Sequence, residues 1–225
     1  MLYPTVRQVI SIFRRQPQVR EWLFPGDDEE QWRLTLSAGV AIAKSSFPIS
    51  ALRRFAGELR TSAKRGLRRN ENAIRQGGTI DFAVITTATV QPLDDLREAF
   101  LIDEKPQEPE EVFKEWTSLT ARPYTVEQFG QLRLLAKAFR RLVPRSKRKF
   151  LYRELFNGRR AGKEAFWFVL FGLPLRAVKD IFSPLRALGC KEGQDFFWEG
   201  NEGAVTPLID ALELAELESE EEENA

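Results

Sequence analysis

The sequence predicts an α+β fold, in which a small sheet covered by helices on one face precedes a helical portion. Residues 34–43 and 79–87 alternate large side chains with small or polar ones, as half-buried strands do. Residues 48–69 repeat apolar side chains every three or four positions, which is typical of an amphipathic helix. From residue 119 onward the helical repeat dominates, so the two portions are predicted to differ in class.

Composition excludes several kinds of chemistry. The chain has one cysteine, Cys190, and no histidine. Zinc sites of the Cys/His type and His-based catalysis are therefore excluded, and a reducing, cytoplasmic location is expected. The net charge of +1 gives no overall field toward a polyanion. The longest apolar run, Ala165–Phe171, is far below the roughly 20 residues of a membrane span, so no membrane partner is expected.

The N-terminal part begins with a predicted helix over residues 4–23, which Pro17 ends or bends. A polar turn follows at 25–31. Its adjacent carboxylates, Asp27 and Asp28, could hold a metal, although a solvated loop is the simpler interpretation.

The strand at 34–43 has one face of large apolar residues and one face of small residues. The small-residue face comprises Thr35, Ser37, Gly39, Ala41 and Ala43. Small side chains on a strand indicate either close backbone packing or a bound ligand, and the pattern alone leaves both open.

The helix at 48–69 has an apolar stripe and a cationic stripe. The apolar stripe is Leu52, Phe55, Ala56, Leu59, Ala63 and Leu67, and the cationic stripe is Arg53, Arg60, Lys64 and Arg68. A phosphate-bearing ligand would suit the cations, and a solvated basic face is the alternative. The strand after it places Ile80 and Phe82 on one face and Asp81 on the other.

The chain divides by composition into four parts. Residues 103–118 are acidic and proline-bearing, which predicts a linker between a domain at 1–102 and a helical domain at 119–212. The strongly acidic residues 213–225 predict a frayed helix end and a disordered tail.

The helical domain contains several recognisable elements. Thr125 and Gln128 predict a capping box at the start of a helix that Pro144 ends. A second helix is predicted from Ser146 to about Gly158. Residues 165–175 predict a buried helix, further helix follows that is broken at Pro184, and residues 195–204 predict a short hairpin.

Positive charge is concentrated between residues 133 and 163, a stretch that contains twelve cationic residues and one acidic residue, Glu154. Such a cluster indicates a nucleic acid or an acidic protein partner, and a solvated helix face is the alternative. The six residues expected to carry this binding are Arg140, Arg141, Arg145, Lys147, Arg148 and Lys149.

Several of these motifs, taken in order, resemble one known family. They are the strand Ser37-Ala38-Gly39-Val40, the turn Pro48-Ile49, the helix end Ala63-Lys64, the strand at 79–85 and the segments 119–132 and 144–158. This series resembles the second palm domain and C-terminal helical domain of the large polymerase/cyclase subunit of type III (Csm/Cmr) CRISPR effector complexes. The palm part also resembles GGDEF-type nucleotidyl cyclases.

The resemblance implies a partial ferredoxin-like palm followed by an all-helical C-terminal domain. It implies that Ser37 contacts the base or sugar of ATP, that Gly39 allows close approach and that Lys64 neutralises the triphosphate. The family's Gly-Gly-Asp-Asp hairpin, which binds two divalent metals, would lie before Met1. No catalytic or metal-binding residue is therefore assigned, and a metal is expected only if another chain supplies the hairpin.

The first hypothesis is thus a component or fragment of the CRISPR large subunit in antiviral defence, inactive as a cyclase alone. Its expected partners are the other effector subunits and guide or target RNA. A second hypothesis is a minimal nucleotidyl cyclase or transferase with Asp27, Asp28 or Asp81 as metal ligands. A third is a plain RNA-binding protein led by the 133–163 cluster.

Overall fold

The structure, a computed structural model, describes residues 35–69, 73, 77–85, 91–104, 115–190, 196–200 and 203–217. The predicted helix at 4–23 and the turn with Asp27 and Asp28 lie outside these residues. The described chain is α+β, with seven helices and two small sheets.

The helices are α1 (Ile49–Arg69), α2 (Leu93–Glu98), α3 (Val126–Leu142), α4 (Arg145–Leu155), α5 (Arg159–Phe171), α6 (Leu175–Leu188) and α7 (Leu208–Leu217). The strands are β1 (Leu36–Ala43), β2 (Gly78–Ile85), β3 (Leu101–Glu104), β4 (Glu115–Ser118), β5 (Tyr124–Thr125), β6 (Trp198–Gly200) and β7 (Gly203–Val205).

The first of two compact units holds β1, α1, β2, β5 and the first turn of α3, and its sheet order is β1-β2-β5. β1 and β2 are parallel, with Leu36 opposite Gly78 and Ala43 opposite Ile85. Parallel neighbours need a crossover connection, which α1 supplies by packing on one face of the sheet. The predicted succession of strand, amphipathic helix and strand is therefore confirmed.

The small-residue face of β1 is the face that α1 covers. A Cβ atom on Gly39 would collide with the Arg60 amide nitrogen and lie 2.5 Å from the Ala56 carbonyl oxygen. On the same face of β2, the Thr79 hydroxyl donates a hydrogen bond to the Ala63 carbonyl at 2.6 Å. At Gly39 the small residue therefore serves close backbone packing.

The other face of the sheet packs against the start of α3. The Phe82 ring meets the Phe129 ring edge-on, with 5.7 Å between centroids. The predicted capping box is confirmed, since the Gln128 amide donates to Thr125 Oγ1 at 3.1 Å and the Thr125 amide donates to Gln128 Oε1 at 3.0 Å. The predicted apolar stripe of α3 is buried as well: Val126, Phe129, Leu132, Leu135, Ala136 and Phe139.

The second unit comprises described residues of 91–122 and 131–217 and has its own sheet, in the order β3-β4-β7-β6. β3 and β4 are antiparallel, β4 and β7 are parallel, and β6 and β7 form the predicted hairpin. α4 packs against α5 and α7. The fully buried side chains of the second unit include Leu151, Leu155, Phe166, Ile181 and Leu208.

Three features of the second portion differ from the sequence prediction. The prediction of an all-helical domain is wrong, because β6 and β7 lie within 119–212. The predicted linker at 103–118 overlaps β3 and β4, and α7 extends into the predicted tail. These strands have only three or four residues, too few for a periodicity signal, and β4 pairs with a strand more than eighty residues away. The domain boundaries themselves stay a prediction.

Two helices also differ from expectation. α6 continues through Pro184 instead of breaking there. The burial of Ile181 and Leu185 offsets the one backbone hydrogen bond that the proline removes. α5 is buried on one side only, because Trp167, Phe168 and Phe171 are exposed.

Candidate functional site

Two of the residues predicted to bind nucleotide lie at the same end of the first unit. Ser37 pairs in register with Thr79, and the Thr79 hydroxyl holds the carbonyl of Ala63, the residue before Lys64. Ser37 is half-buried and Lys64 is exposed to solvent. The strand register and this hydrogen bond place the two residues at the same end of the unit, and their assignment to a nucleotide stays a prediction.

Gly39 lies two residues after Ser37 on the same face of β1, under α1. Its open side faces the helix backbone between Ala56 and Arg60, so α1 fills the space that a close ligand would need. The absence of a side chain at this position is therefore explained by the helix alone.

Asp81 is opposite Gly39 in the sheet and is completely buried on the helix-covered face. Its carboxylate is not open to solvent, as a ligand of an exchangeable catalytic metal would be. Among the described residues, no group of three or more His, Cys, Asp or Glu side chains could hold a metal ion. The predicted ligands Asp27 and Asp28 lie outside them.

The solvent side of α1 carries all seven cations of the helix. We call it the α1 basic face and define it by seven exposed residues, Arg53, Arg54, Arg60, Lys64, Arg65, Arg68 and Arg69. The only acidic residue of the helix is Glu58. From Arg53 to Arg69 the face extends for about 24 Å at the usual helical rise. It offers several positive charges in a row to a polyanion.

The cations of α3 and α4 are in a different situation, because α7 neutralises several of them. Glu216 accepts hydrogen bonds from Arg145 at 2.9 Å and from Arg148 at 2.9 and 3.2 Å. Arg148 is buried and also donates to the Val143 carbonyl at 2.8 Å. Arg140 donates to the Ala215 carbonyl at 3.3 Å. These three predicted binding residues thus hold α7 in place.

The remaining three predicted binding residues are less uniform. Arg141 forms an exposed ion pair with Asp180 at 2.8 Å. The Lys147 ammonium lies 5.6 Å from the centroid of the Phe168 ring, a cation–π contact. Lys149 is exposed. The cluster therefore has much less unpaired positive charge than its sequence indicates.

A buried ionic network also fixes α7. Arg122 Nε lies 2.8 Å from Asp210, which also accepts hydrogen bonds from the Thr120 hydroxyl and the Ala121 amide. Arg122 also pairs with Glu213. Burial raises the pKa of Glu213, against the opposing effect of the Arg122 charge. Burial and then the charge of Glu213 raise the pKa of Tyr152 to about 12.

This network was missed at the sequence level. Asp210, Glu213 and Glu216 stand three residues apart in an otherwise apolar helix, so their carboxylates lie on one stripe. The residues from Glu213 onward were assigned to an acidic tail instead. An acidic stripe on an apolar helix was the signal that could have identified a partner for the basic cluster.

No protein-family model matches the chain, and a search of curated proteins finds no match. Among the described residues, none of the helices is long and apolar enough to cross a membrane.

Proposed function

We propose that the chain is a component of the large subunit of a type III CRISPR effector complex, in cytoplasmic antiviral defence. Residues 1–102 would contribute a partial, palm-like, ATP-binding surface, and residues 119–212 would dock other effector subunits. The proposal rests on the resemblance quoted above, and the divalent metals would be held by a Gly-Gly-Asp-Asp hairpin on another chain.

One observation carries the proposal furthest. Three of the four motifs of the resembled palm, at 37–40, 63–64 and 79–85, fall on β1, the C-terminal half of α1 and β2 of a single unit. Their order leaves Ser37 and Lys64 at one end of that unit, with further exposed cations on the last turn of α1. A triphosphate is the ligand whose charge fits this end.

The test is reconstitution with a fragment that carries the Gly-Gly-Asp-Asp hairpin. We expect the mixture to make oligoadenylate from ATP and Mg²⁺, and Lys64→Ala to reduce both product and retention of labelled ATP. Arg53→Ala, at the opposite end of α1, is the matched control and should change neither. If the wild-type mixture makes no product and retains no ATP, the proposal is contradicted.

A second function is favoured by the α1 basic face: RNA binding through phosphates. This surface replaces the α3–α4 cluster as the preferred RNA contact, because the arginines of that cluster are partly neutralised within the chain. RNA phosphates would replace counterions along α1, so binding should weaken steeply with salt.

The corresponding experiment compares two triple variants on a labelled single-stranded RNA. Arg60→Gln/Lys64→Gln/Arg68→Gln should lower the slope of log affinity against log salt by about 2, at about 0.7 per lost phosphate contact. Arg145→Gln/Lys149→Gln/Arg153→Gln removes three exposed cations of α4 and should change the slope less. Equal effects would remove the preference for α1.

A further inference from the structure

The helix α5 is apolar on both sides, although the described part of the chain buries only one. Its inner side is buried through Ala165, Phe166, Val169 and Leu170. On its outer side Trp167 is 56%, Phe168 62% and Phe171 96% exposed, and Leu175, at the start of α6, is 75% exposed. We call these last four residues the α5 outer face.

Three of the four residues form one stripe on α5. Phe171 follows Trp167 by four positions and Phe168 by three, and Leu175 begins α6 after the turn at 172–174. Helix residues three and four apart are neighbours on the surface. A helix that is apolar all round is normally covered on all sides, and a contiguous exposed apolar patch marks an interaction site.

The charges around this stripe are positive. Lys147 reaches Phe168, and Arg176 and Lys179 are exposed in the first turns of α6 beside Leu175. The acids nearby in sequence are already paired, Glu164 with Arg160 at 3.0 Å and Asp180 with Arg141 at 2.8 Å. An apolar partner with acidic flanks complements this rim, whereas two copies of the face would bring like charges together.

The aromatic rings are arranged for a protein partner rather than for bases. Phe168 has the Lys147 ammonium over its ring and the Phe150 ring packed edge-on at 5.8 Å. Trp167 lies against the tilted ring of Phe182 at 5.9 Å. Stacking of single-stranded bases needs open ring faces, and these contacts occupy part of the Phe168 and Trp167 rings.

We propose that the α5 outer face binds an amphipathic helix of another protein, with aliphatic residues on its contact side and Asp or Glu along its flanks. Phe171, the most exposed residue, is the expected anchor, and Lys147 and Arg176 select the acidic flanks. This inference deepens the docking role proposed for residues 119–212. It stands on exposed residues of the second unit and does not depend on the proposed nucleotide and RNA surfaces of the first.

The probe is a fluorescein-labelled synthetic helical peptide with Leu on one face and Glu on the others, titrated with the full chain by anisotropy. A matched peptide has Lys in place of every Glu. We expect the Glu peptide to bind at least about tenfold more tightly than the Lys peptide. Phe171→Ser should weaken binding of the Glu peptide by at least about tenfold.

Two further variants separate the contributions. Lys147→Gln/Arg176→Gln should remove the preference for the Glu peptide and leave binding of the Lys peptide unchanged or stronger. Leu134→Ser, which removes an exposed leucine from α3, should have no effect. Because Phe171 is almost fully exposed, Phe171→Ser should keep the wild-type thermal unfolding midpoint.

Four results would overturn the proposal. They are no binding of the Glu peptide, equal binding of both peptides, and full binding by Phe171→Ser. The fourth is binding of a labelled single-stranded RNA, or formation of a homodimer, that is lost in Phe171→Ser. The face would then bind a nucleic acid or a second copy of the chain. None of these readouts involves ATP, so a failure here is distinct from a failure of the proposed function.

Discussion

At Gly39 the helix and the sheet of the first unit approach closely. Replacing it with alanine introduces a methyl group 2.5 Å from the Ala56 carbonyl oxygen and 2.8 Å from the Leu59 carbonyl carbon. Backbone atoms cannot rotate away, so we expect Gly39→Ala to destabilise the first unit by about 2 kcal/mol. Urea unfolding and hydrogen exchange of the β1 and β2 amides would measure this loss.

Gly57→Ala is the matched control, because it adds the same methyl group in the same unit. No described atom lies within 4 Å of that methyl position. Alanine favours the helix, so a gain of about 1 kcal/mol is expected. If both variants lowered stability equally, close packing at Gly39 would not be the reason for its small size.

Asp210 gives a second test at the level of a single residue. Asp210→Asn removes the charge that faces buried Arg122, while Glu213 remains as a partner. Breaking a buried ion pair lowers the free energy of unfolding by about 3–5 kcal/mol. Because the Glu213 carboxylate still pairs with Arg122, we expect a loss at the lower end, about 3 kcal/mol. Glu164→Gln, in an exposed pair with Arg160, should cost no more than about 0.5 kcal/mol.

Cys190 provides the measurement for Asp210→Asn. It is the only cysteine of the chain, it is buried in the second unit, and burial raises its thiol pKa to about 12. Alkylation near neutral pH should therefore be slow in the folded protein and should accelerate when that unit opens. A loss of 3 kcal/mol should accelerate alkylation about 100-fold. An unchanged rate in Asp210→Asn would show that the network does not stabilise this unit.

At the level of elements, the sequence allowed prediction wherever the signal was local. The strand β1, the helix α1, the strand β2 and the capping box of α3 each follow from residues close together in the chain. Alternation, helical spacing and reciprocal capping act within a few residues, so the pattern contains the whole explanation.

The features that were missed depend on distant residues. β4 pairs with β7, and Arg148 pairs with Glu216, 68 positions further along. A basic stripe is the same in sequence whether solvent, RNA or another helix faces it. For that reason the 133–163 cluster could be recognised but its acidic partner could not. Three of the six predicted residues, Arg140, Arg145 and Arg148, contact α7 and hold it in place.

Helix α7 itself gives a prediction, because two of its carboxyl groups have pKa shifts of opposite direction. Burial acts to raise the pKa of Glu216, but the hydrogen bonds and charges of Arg148 and Arg145 outweigh it and lower the pKa. Its stabilisation is therefore present above the ordinary pKa of 4.5 and lost as the pH falls below it. Glu216→Gln should be destabilising near about pH 7, and its cost should decrease as the pH falls below 4.5.

Glu213 should behave in the opposite way. Its pKa is raised by burial, so the folded state retains a proton that the unfolded chain has released. Stability is then lost as the pH rises from 4.5 through the folded pKa, and the cost of Glu213→Gln should decrease with rising pH. Urea midpoints between about pH 3 and pH 7 would measure both trends, and parallel trends would contradict the assignment of these shifts.

At the scale of the whole molecule, near-neutral net charge conceals a separation of charge. The chain has 34 cationic and 33 acidic residues, yet the α1 basic face has seven cations beside one acid. In the second unit, cations and acids meet in ion pairs such as Arg148–Glu216. Charges that attract within a unit stabilise it, whereas like charges on one helix face reduce its stability.

The substitution Lys64→Glu tests whether the α1 basic face lowers the stability of the helix because its cations serve to bind a ligand. Lys64 lies four residues from both Arg60 and Arg68, so two repulsive pairs would become attractive. Each repulsive or attractive pair is worth about 0.2–0.5 kcal/mol, which predicts a gain of about 1 kcal/mol in the free energy of unfolding. Screening should reduce the gain strongly at about 1 M salt, and Lys64→Gln should give about half of it.

The same substitution places a carboxylate at the position proposed for phosphate. Retention of labelled ATP by the reconstituted mixture, or binding of labelled RNA, should therefore fall by at least about tenfold in Lys64→Glu while stability rises. If replacing a residue makes the protein more stable but weakens ligand binding, the residue serves binding and not stability. If Lys64→Glu is more stable and binds both ligands as well as the wild type, the α1 basic face is a solvated surface and both proposed uses of it fail.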